Sequence, residues 1–381
     1  MIRTILPFAL LLLWAGCKKP ESKTTDMKLF IGTYTKKEGH VDGKAQGVYQ
    51  YRMDALSGEL TPGPTITGLV NPSFITASPD GHYVYAVEET GPGDDSTGHI
   101  NVFERAKDGS YTRLSRQSTH AFAPCHVAVD QQGQFVFVAN YVGGVVAMYP
   151  LESDGKLSPA CHVVTQTGTG PRPEQEASHP HQVVPSADGR FLYVPDLGAD
   201  RIFAYSINRE QRRLDPLPDS LQARLAAGAG PRHLVFHPSY PMAYVLNEHN
   251  ATVTVLSVNA ANGALSPEQS VNTLPADFNG KNWCADIHLS EDGRYLYASN
   301  RGHNSLAIFS VNPNDGRLQF IGHESVRGEF PRNFAVVPDG RHLLVANQNT
   351  DNLVLFTIGE DGRLQFVRET KVPTPVCLVF R

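Results

Sequence analysis

A pattern of two short apolar runs separated by a tight turn recurs six times between residues 71 and 348. Each copy begins and ends in polar residues, as in "HPHQVVPSADGRFLYVPDL" at 179–197 and "WCADIHLSEDGRYLYASNR" at 283–301. A third alternating run follows every copy, and most copies then have a short fourth run. Period-two alternation, β-branched and aromatic residues and Asp-Gly turns are together typical of antiparallel β-hairpins.

The length of this repeat predicts the architecture, because four strands in about 50 residues is the period of a propeller blade. The two ends of the chain supply a seventh copy. "PTPVCLVF" at 373–380 matches a first strand, "KLFIGTYT" at 28–35 a second and "QGVYQYRM" at 46–53 a third. We therefore expect an all-β, seven-bladed β-propeller with four-stranded antiparallel blades over residues 27–381. The N- and C-terminal strands share one blade, which closes the ring and removes open sheet edges.

The first residues have a composition unlike that of the repeats. A basic residue, Arg3, precedes an apolar run from Ile5 to Trp14, and small residues follow that run. This is the pattern of a secretory signal peptide, and the run is too short to span a bilayer comfortably. We therefore expect the protein to be exported.

Cys17 gives this signal a more specific interpretation. It directly follows Ala-Gly, which resembles the lipobox of bacterial lipoproteins, although Trp14 stands where that family prefers leucine. The resemblance implies a signal peptide at 1–16, lipidation of Cys17 and a tether at 17–26. The protein would then be a membrane-anchored lipoprotein, periplasmic or facing the outer membrane. The alternative is a plain signal peptide with an incidental cysteine.

Composition and motifs exclude several classes of function. The formal net charge is −5 without a basic run, so nucleic-acid binding is not expected. The chain contains no P-loop and no G-x-S-x-G motif. Four cysteines of the repeats lie far apart without a C-x-x-C motif, which favours buried free thiols over a zinc or haem site, although disulfides are permitted: Cys125, Cys161, Cys284 and Cys377. We expect no cofactor, no metal and a monomer.

The blade geometry predicts which residues meet. The first strand of a blade runs along the central channel and the second returns beside it, so the start of one and the end of the other share a channel mouth. The Asp-Gly turns lie at the opposite mouth. The first strands begin with Ser73, His126, His181, Arg232 with His233, Asp286 with His288, and Arg332 with Asn333. The second strands end with Glu88 and Glu89, Asn140, Asp196, Glu248 and His249, Asn300 and Arg301, and Asn347 and Gln348.

Two interpretations of these polar strand ends are open. Asparagine commonly caps neighbouring backbone groups, and this reading fits Asn140, Asn300 and Asn347. Other positions differ from blade to blade, and charges at a confined mouth cost free energy unless they are paired or used. Polar groups that converge on a pocket predict a functional site there, and the residues concerned are Arg232, Glu248, Arg301, Arg332 and His181.

The chain resembles the lactonase-type seven-bladed propellers, which include 6-phosphogluconolactonase and a fungal enzyme that closes the lactone of carboxymuconate. The resemblance spans about Met27 to Arg381 and is carried by "NPSFITASPDG", "SHPHQVVPSADGRFLYVPDLGADRI", "GPRHLVFHP", "YVLNE" and "ASNRGHNSLAIF". In the muconate relative a histidine, two arginines and a glutamate line one mouth. Their counterparts by motif are His181 in "HPHQ", Arg232 in "GPRH", Glu248 in "LNE" and Arg301 in "SNRG".

The resemblance implies hydrolysis of a sugar-acid lactone in carbohydrate metabolism without a redox cofactor. Glu248 is then the candidate base, or a partner that orients Arg232, and His181 is the candidate acid or second base. The arginines would hold the lactone carbonyl and any substrate carboxylate or phosphate. Because 6-phosphogluconolactone is a cytosolic metabolite, an export signal favours a different, extracytoplasmic lactone. Candidate substrate-binding residues are Arg332, His288, His126 and Asn300.

Two other functions are compatible with the sequence. Calcium-dependent gluconolactonases are propellers that bind a divalent metal through carboxylate and amide oxygens in the channel. Here such oxygens could come from Glu88, Asn140, Asp196 and Asn300. The second alternative is an exported propeller that binds a glycan or a protein without catalysis, since one fold hosts many functions.

Overall fold

The computed structural model describes residues 26–381. The predicted signal peptide at 1–16, Cys17 and the tether up to residue 25 lie outside the described residues. Within the described part of the chain, no helix is long and apolar enough to cross a membrane.

Seven antiparallel sheets of the described residues each contain the four strands predicted for a propeller blade. Two of these sheets have one additional short strand, and a separate two-stranded sheet lies in the first segment of the chain. The first segment of the chain contains β1 (Met27–Thr33), β2 (Lys37–Glu38), β3 (Val41–Asp42), β4 (Gly47–Met53), β5 (Leu60–Pro62) and β6 (Ile66–Thr67). Blade two contains β7 (Ile75–Ala77), β8 (Tyr83–Glu88), β9 (His99–Arg105) and β10 (Tyr111–Ser118). Blade three contains β11 (Phe122–Val129), β12 (Phe135–Val142), β13 (Val145–Pro150) and β14 (His162–Thr165). Blade four contains β15 (Val184–Pro185), β16 (Phe191–Asp196), β17 (Arg201–Asn208), β18 (Arg213–Pro216) and β19 (Ala223–Arg224).

The remaining blades follow the same order from the channel outward. Blade five contains β20 (Pro231–Phe236), β21 (Met242–Asn247), β22 (Thr252–Asn259) and β23 (Ala264–Asn272). Blade six contains β24 (Trp283–Leu289), β25 (Tyr295–Arg301), β26 (Ser305–Val311) and β27 (Leu318–Ser325). Blade seven contains β28 (Pro331–Val336), β29 (His342–Asn347), β30 (Asn352–Ile358) and β31 (Leu364–Lys371), and the last strand is β32 (Pro375–Phe380). Two short 3₁₀ helices, Pro173–Gln175 and Asp219–Leu221, lie in connections.

The two ends of the chain share blade one, as the sequence predicts. Strand β32 pairs antiparallel with β1, with Leu29 opposite Phe380 and Ile31 opposite Leu378. Strands β4 and β5 complete the order β32-β1-β4-β5. The last strand is therefore innermost in the blade that the first strand begins, and hydrogen bonds between the two ends close the ring.

Apolar side chains between adjacent blades form the core. One cluster joins Leu246 and Val253 of blade five to Leu296 and Phe309 of blade six, all fully buried. A repeated polar contact accompanies this packing: Tyr244 donates from its hydroxyl to the backbone carbonyl of Gly316 in the next blade, at 2.9 Å. Strands such as β16 and β29 are buried at every residue, because neighbouring blades cover both faces of each sheet.

Candidate active site

In six of the seven blades the chain reaches the channel through a proline, and the next residue lines the channel. The six residues after those prolines are Ser73, Cys125, His181, Arg232, Arg332 and Val376. In β11, β20 and β28 the pairing register shifts by one residue at this position, which is a β-bulge. A bulge redirects the side chain it inserts. The repeat therefore presents six side chains of five types at one level of one mouth.

The backbone before these prolines is left-handed in five blades. The residues concerned are Asn71 (φ 46°), Ala123 (φ 51°), Gly230 (φ 67°), Phe330 (φ 64°) and Thr374 (φ 41°). This region favours glycine, and each non-glycine residue held there costs on the order of 1–3 kcal/mol. Such strain concentrates at binding and catalytic sites, where the surrounding fold enforces it. Here it surrounds one channel mouth.

A cavity of ≈ 580 Å³ opens at this mouth. Its lining combines charged groups with aromatic walls: His40, Glu89, Ala123, Cys125, Tyr141, Val142, His181, Glu248, Trp283, Arg301, Phe330 and Arg332. A concave site with a few convergent polar groups is the usual form of a small-molecule site. Four of the residues predicted from the sequence, His181, Glu248, Arg301 and Arg332, therefore line one cavity.

Glu248 is held by two arginines through a single oxygen. Its Oε2 lies 3.0 Å from Arg232 Nε and 2.7 Å from Arg301 Nη2. Within residues 26–381, no hydrogen bond or ion pair uses the other oxygen, Oε1, and the side chain is 14% exposed at the cavity. One oxygen is thus fixed by charge and the other is free to accept a proton.

Hydrogen bonds to the backbone around Gly230 place Glu248 beside Arg232. Its N–H donates to the carbonyl of Gly230, 2.7 Å away, so the end of β21 is tied to the turn that precedes Arg232. That turn is fixed in its own right, because Asp200 accepts hydrogen bonds from the N–H groups of Gly228 and Gly230 at 2.6 and 2.8 Å. Arg232 and Glu248 therefore lie side by side at the open end of one strand pair, β20 and β21, and hydrogen bonds fix that end.

The protonation states of this group follow from burial and charge. Burial alone would raise the pKa of Glu248, but Arg301 and Arg232 outweigh it and lower that pKa below its usual value. Burial, with Arg301 next, lowers the pKa of Arg232 to about 9. At neutral pH the site therefore contains a carboxylate between two guanidinium ions.

Arg301 is positioned by the blade that carries it. Its Nε and Nη2 donate to the carbonyl oxygens of Trp283 and Cys284 at 3.2 and 3.0 Å, and its guanidinium lies 5.1 Å from the centroid of the Phe330 ring. These contacts leave the side chain little freedom to follow a ligand. A preorganised cation of this kind can stabilise negative charge that develops on a substrate.

His181 enters the cavity from the segment that precedes β15, the short innermost strand of blade four. Its N–H donates to the carbonyl of Pro195 at 3.0 Å, while Asp196 accepts the N–H of His179 at 2.8 Å. Burial, followed by the charge of Arg232, holds the pKa of His181 well below its usual value. The imidazole is therefore neutral at neutral pH, which disfavours the predicted role of acid, while the alternative role of second base stays a prediction.

Arg332 differs from the other two arginines in having no acceptor. Within the described part of the chain no hydrogen bond or ion pair uses its guanidinium, which lies 5.4 Å from the centroid of the Tyr34 ring. Tyr34 itself donates to Glu89 Oε1 at 3.0 Å, and Ser73 donates to Glu89 Oε2. Glu89 is thus occupied by two hydroxyl groups, and Arg332 remains available to an anionic ligand.

Three of the predicted substrate-binding residues lie elsewhere. Asn300 is fully buried, and its amide bonds Thr273 and Ser305 as a strand cap. His126 and His288 line a second cavity, of ≈ 640 Å³, near the opposite mouth. His126 is turned away because the bulge places Cys125, not His126, at the level of Arg232.

The oxygen atoms considered for a calcium site are engaged individually. Glu88 bonds Arg116 at 2.8 Å, Asp196 accepts three backbone N–H groups, and the amides of Asn140 and Asn300 cap neighbouring backbone. Within residues 26–381, no three His, Cys, Asp or Glu residues are grouped so that they could hold a metal ion. These four residues do not form a common coordination site.

Sequence reasoning missed several residues of the lining. Glu89 was named among the strand ends but not predicted as a site residue, and Tyr141 directly follows Asn140, which was considered. His40 lies in the β2–β3 connection of blade one, which has no counterpart in the other repeats. Alignment on the prolines would have identified Cys125 as the counterpart of Arg232.

Comparison with known proteins agrees with this architecture. The family described as "Lactonase, 7-bladed beta-propeller" matches residues 28–380. The chain is 34% identical to the 6-phosphogluconolactonase of Bacillus subtilis over 354 residues, which cover 92% of this chain and 97% of the relative. It is 32% identical to the 6-phosphogluconolactonase of Formosa agariphila, with 88% and 94% covered.

A solved structure agrees equally well. The periplasmic gluconolactonase of Pseudomonas aeruginosa superimposes with a TM-score of 0.86 at 35% identity, covering 93% of this chain and 99% of that one. Sequence and structure therefore match over nearly the whole length on both sides, and the chain belongs to the lactonase family of seven-bladed β-propellers.

Proposed function

We propose that this protein hydrolyses a sugar-acid lactone in the Glu248 cavity, with Glu248 as the general base. Membership of the lactonase family and the names of its relatives support lactone hydrolysis. The observation that carries the assignment of the base is the carboxylate itself, which two arginines fix through Oε2 and which has no partner at Oε1 within residues 26–381. Glu248 thereby has one oxygen available for a water molecule.

The reaction follows from these charges. Glu248 removes a proton from a water molecule as the water oxygen forms a bond to the lactone carbonyl carbon. Arg301, which lines the cavity, stabilises the negative charge that develops on the carbonyl oxygen, while the buried Arg232 holds Glu248 in place. The tetrahedral intermediate breaks its bond to the ring oxygen, and the protonated Glu248 returns its proton to that leaving alkoxide. No redox step and no covalent intermediate are needed.

His181 and Arg332 act on the substrate from other sides. A neutral His181 accepts a hydrogen bond from a substrate hydroxyl, because burial and the surrounding arginines disfavour its protonation. Arg332 binds an anionic substituent of the lactone, a carboxylate or a phosphate, through its free guanidinium. Trp283 and Phe330 supply an apolar wall on which a sugar ring can pack.

We also propose an extracytoplasmic location. The solved relative from Pseudomonas aeruginosa is described as periplasmic, and the first residues read as an export signal. Lipidation of Cys17 would then anchor the propeller at a membrane through the tether at 17–26. Mass spectrometry of the mature protein tests this: a diacylated N-terminal Cys17 is expected, and an unmodified N-terminus would contradict it.

Hydrolysis by the soluble domain, residues 27–381, tests the assignment of the base. Gluconolactone and 6-phosphogluconolactone are the substrates, at slightly acid pH to limit spontaneous opening, with and without chelator. Glu248→Gln is expected to lower kcat by about 100-fold or more, with a smaller change in KM. The control is Glu291→Gln, a carboxylate of the second cavity, which should leave kcat unchanged.

Three outcomes contradict the proposal in different ways. Unchanged kcat with a raised KM in Glu248→Gln would make Glu248 only a partner that orients Arg232. Loss of wild-type turnover on chelation would favour the calcium-dependent alternative. Absence of turnover on either lactone would favour a different lactone or a binding role.

A further inference from the structure

A second layer of polar side chains lies directly behind Arg232. Arg232 Nη1 is 3.3 Å from His233 Nε2 and also donates to the backbone carbonyl of Ala285 in blade six. Ala285 is the residue of blade six at the level of Arg232, and its small side chain leaves that carbonyl accessible. The face of Arg232 opposite Glu248 is therefore occupied by acceptors from two blades.

Asp286 supports this arrangement from blade six. It is 2% exposed, and its two oxygens accept five hydrogen bonds. Oδ1 accepts from His233 Nδ1 at 2.7 Å and from the N–H of Ile287 at 3.0 Å. Oδ2 accepts from His288 Nε2 at 2.9 Å, from the N–H of Phe334 at 3.2 Å and from Asn333. Donors from both neighbouring blades thus fix this carboxylate.

These contacts determine the tautomer of His233. A carboxylate can only accept a hydrogen bond, so Nδ1 of His233 must carry a proton and donate it in the hydrogen bond to Asp286. Burial, followed by the charge of Arg232, lowers the pKa of His233 to about 4, so the imidazole is neutral near pH 7. Nε2 then carries a lone pair, which is what the N–H of Arg232 requires. The reverse tautomer would set two N–H groups against each other.

We propose that Asp286 and His233 are positioning residues that hold the guanidinium of Arg232 in place against Glu248. Arg232 donates a hydrogen bond to His233, and His233 donates one to Asp286, so the chain of hydrogen bonds leads from Arg232 away from the cavity. Neither residue lies between Arg232 and Glu248, so neither needs to touch the substrate. The proposal rests on the proposed function, because Arg232 matters for turnover only if Glu248 and its arginines hydrolyse the lactone.

The blade repeat sharpens this inference. Residues at the level of His233 in other blades include Phe74, His126 and Asn333, which differ in chemistry. Among the described residues, this layer bonds the arginine that pairs with Glu248 only where it contains a histidine and a neighbouring aspartate, His233 and Asp286. A histidine needed only for packing would not require a buried acid to select its tautomer.

Nuclear magnetic resonance tests the tautomer without any substrate. The protein is labelled with ¹⁵N-histidine, and the His233 signals are identified as those lost in His233→Phe. We expect a neutral ring near pH 7 with Nδ1 protonated and Nε2 unprotonated, and an Nε2 shift that changes in Arg232→Gln. An Nε2-protonated ring or an imidazolium at that pH would overturn the proposal.

Steady-state kinetics tests the consequence. His233→Phe, which keeps a ring at this position, should lower kcat by about tenfold or more with a smaller change in KM. His237→Phe is the matched control, since His237 is a buried histidine of the same blade that bonds the Gly293 carbonyl of blade six at 3.2 Å. It should leave kcat within about twofold of wild type.

A double-mutant cycle separates positioning from general destabilisation. In an Arg232→Gln background, His233→Phe should change kcat by less than about twofold, because its effect passes through Arg232. Effects that multiply in the double variant, or a loss in His237→Phe equal to that in His233→Phe, would overturn the proposal. Absence of turnover in the wild type would refute the proposed function alone, and the resonance experiment would still decide the tautomer.

Discussion

The two ends of the channel are built from the same seven strand pairs but differ in chemistry. At the turn end, Asp188 accepts from its own Ser186 hydroxyl at 2.6 Å and from a backbone N–H two residues on. Asp292 makes the same bonds in blade six, and Asp80 makes them in blade two. At the other end, equivalent positions hold serine, cysteine, histidine, arginine and valine. The residues at this end therefore differ from blade to blade, whereas those at the turn end recur.

Cavity size does not distinguish these ends. The cavity near the turns, ≈ 640 Å³, is the larger of the two. What separates them is the state of their charged groups, since the turn aspartates are satisfied locally. Glu248 Oε1 and the guanidinium of Arg332, by contrast, have no partner within the described residues. In a repeat protein the residues that recur in every blade build the fold. Polar residues that differ from blade to blade and lack a hydrogen-bond partner indicate the binding site.

Replacing one arginine at each end gives the largest expected contrast. Arg301→Gln removes a cation that contacts Glu248 at 2.7 Å, and we expect kcat/KM to fall by about 100-fold or more. Arg294→Gln removes an exposed arginine paired with Asp292 in a turn, and kcat/KM should not change. Thermal unfolding of both variants checks that they are folded. Equal losses of activity would contradict the distinction between the two ends.

The sequence predicted the fold well because its signals are local. Each blade is a series of hairpins whose strands alternate visibly, and the match of 373–380 to a first strand identified the blade that closes the ring. The meeting of Arg232 and Glu248 followed from strand direction alone. These inferences needed only the order and direction of strands.

What the sequence could not supply was the register at the channel. A bulge of one residue exchanges the face of a strand, so His126 was expected where Cys125 lies. The role expected for His181 also required the third dimension, because the arginines that lower its pKa come from other blades. His40 was unpredictable because it lies on a connection outside the repeat.

A smaller effect is expected at the free cation of the site. Arg332→Gln should raise KM for 6-phosphogluconolactone by about tenfold and leave KM for uncharged gluconolactone nearly unchanged, because only the former offers an anion. The value of kcat should change little for either substrate. A comparable rise in KM for both lactones would mean that Arg332 shapes the cavity rather than binding charge. An unpaired charged group would then not distinguish this mouth from the turn end.

The smallest expected effect is that kcat/KM does not depend on pH between about pH 5 and pH 7. Burial and Arg232 hold the pKa of His181 well below its usual value, and Arg301 and Arg232 keep that of Glu248 below its own. Neither group gains or loses a proton between about pH 5 and pH 7, so kcat/KM, corrected for spontaneous opening, should be flat there. Activity should fall only at lower pH, as the bases become protonated. If His181 acted as an acid with an ordinary pKa, activity would instead decline as pH rises through 6 to 7. That decline would also mean that burial and the nearby arginines do not keep the imidazole of His181 neutral, although both disfavour its protonated form.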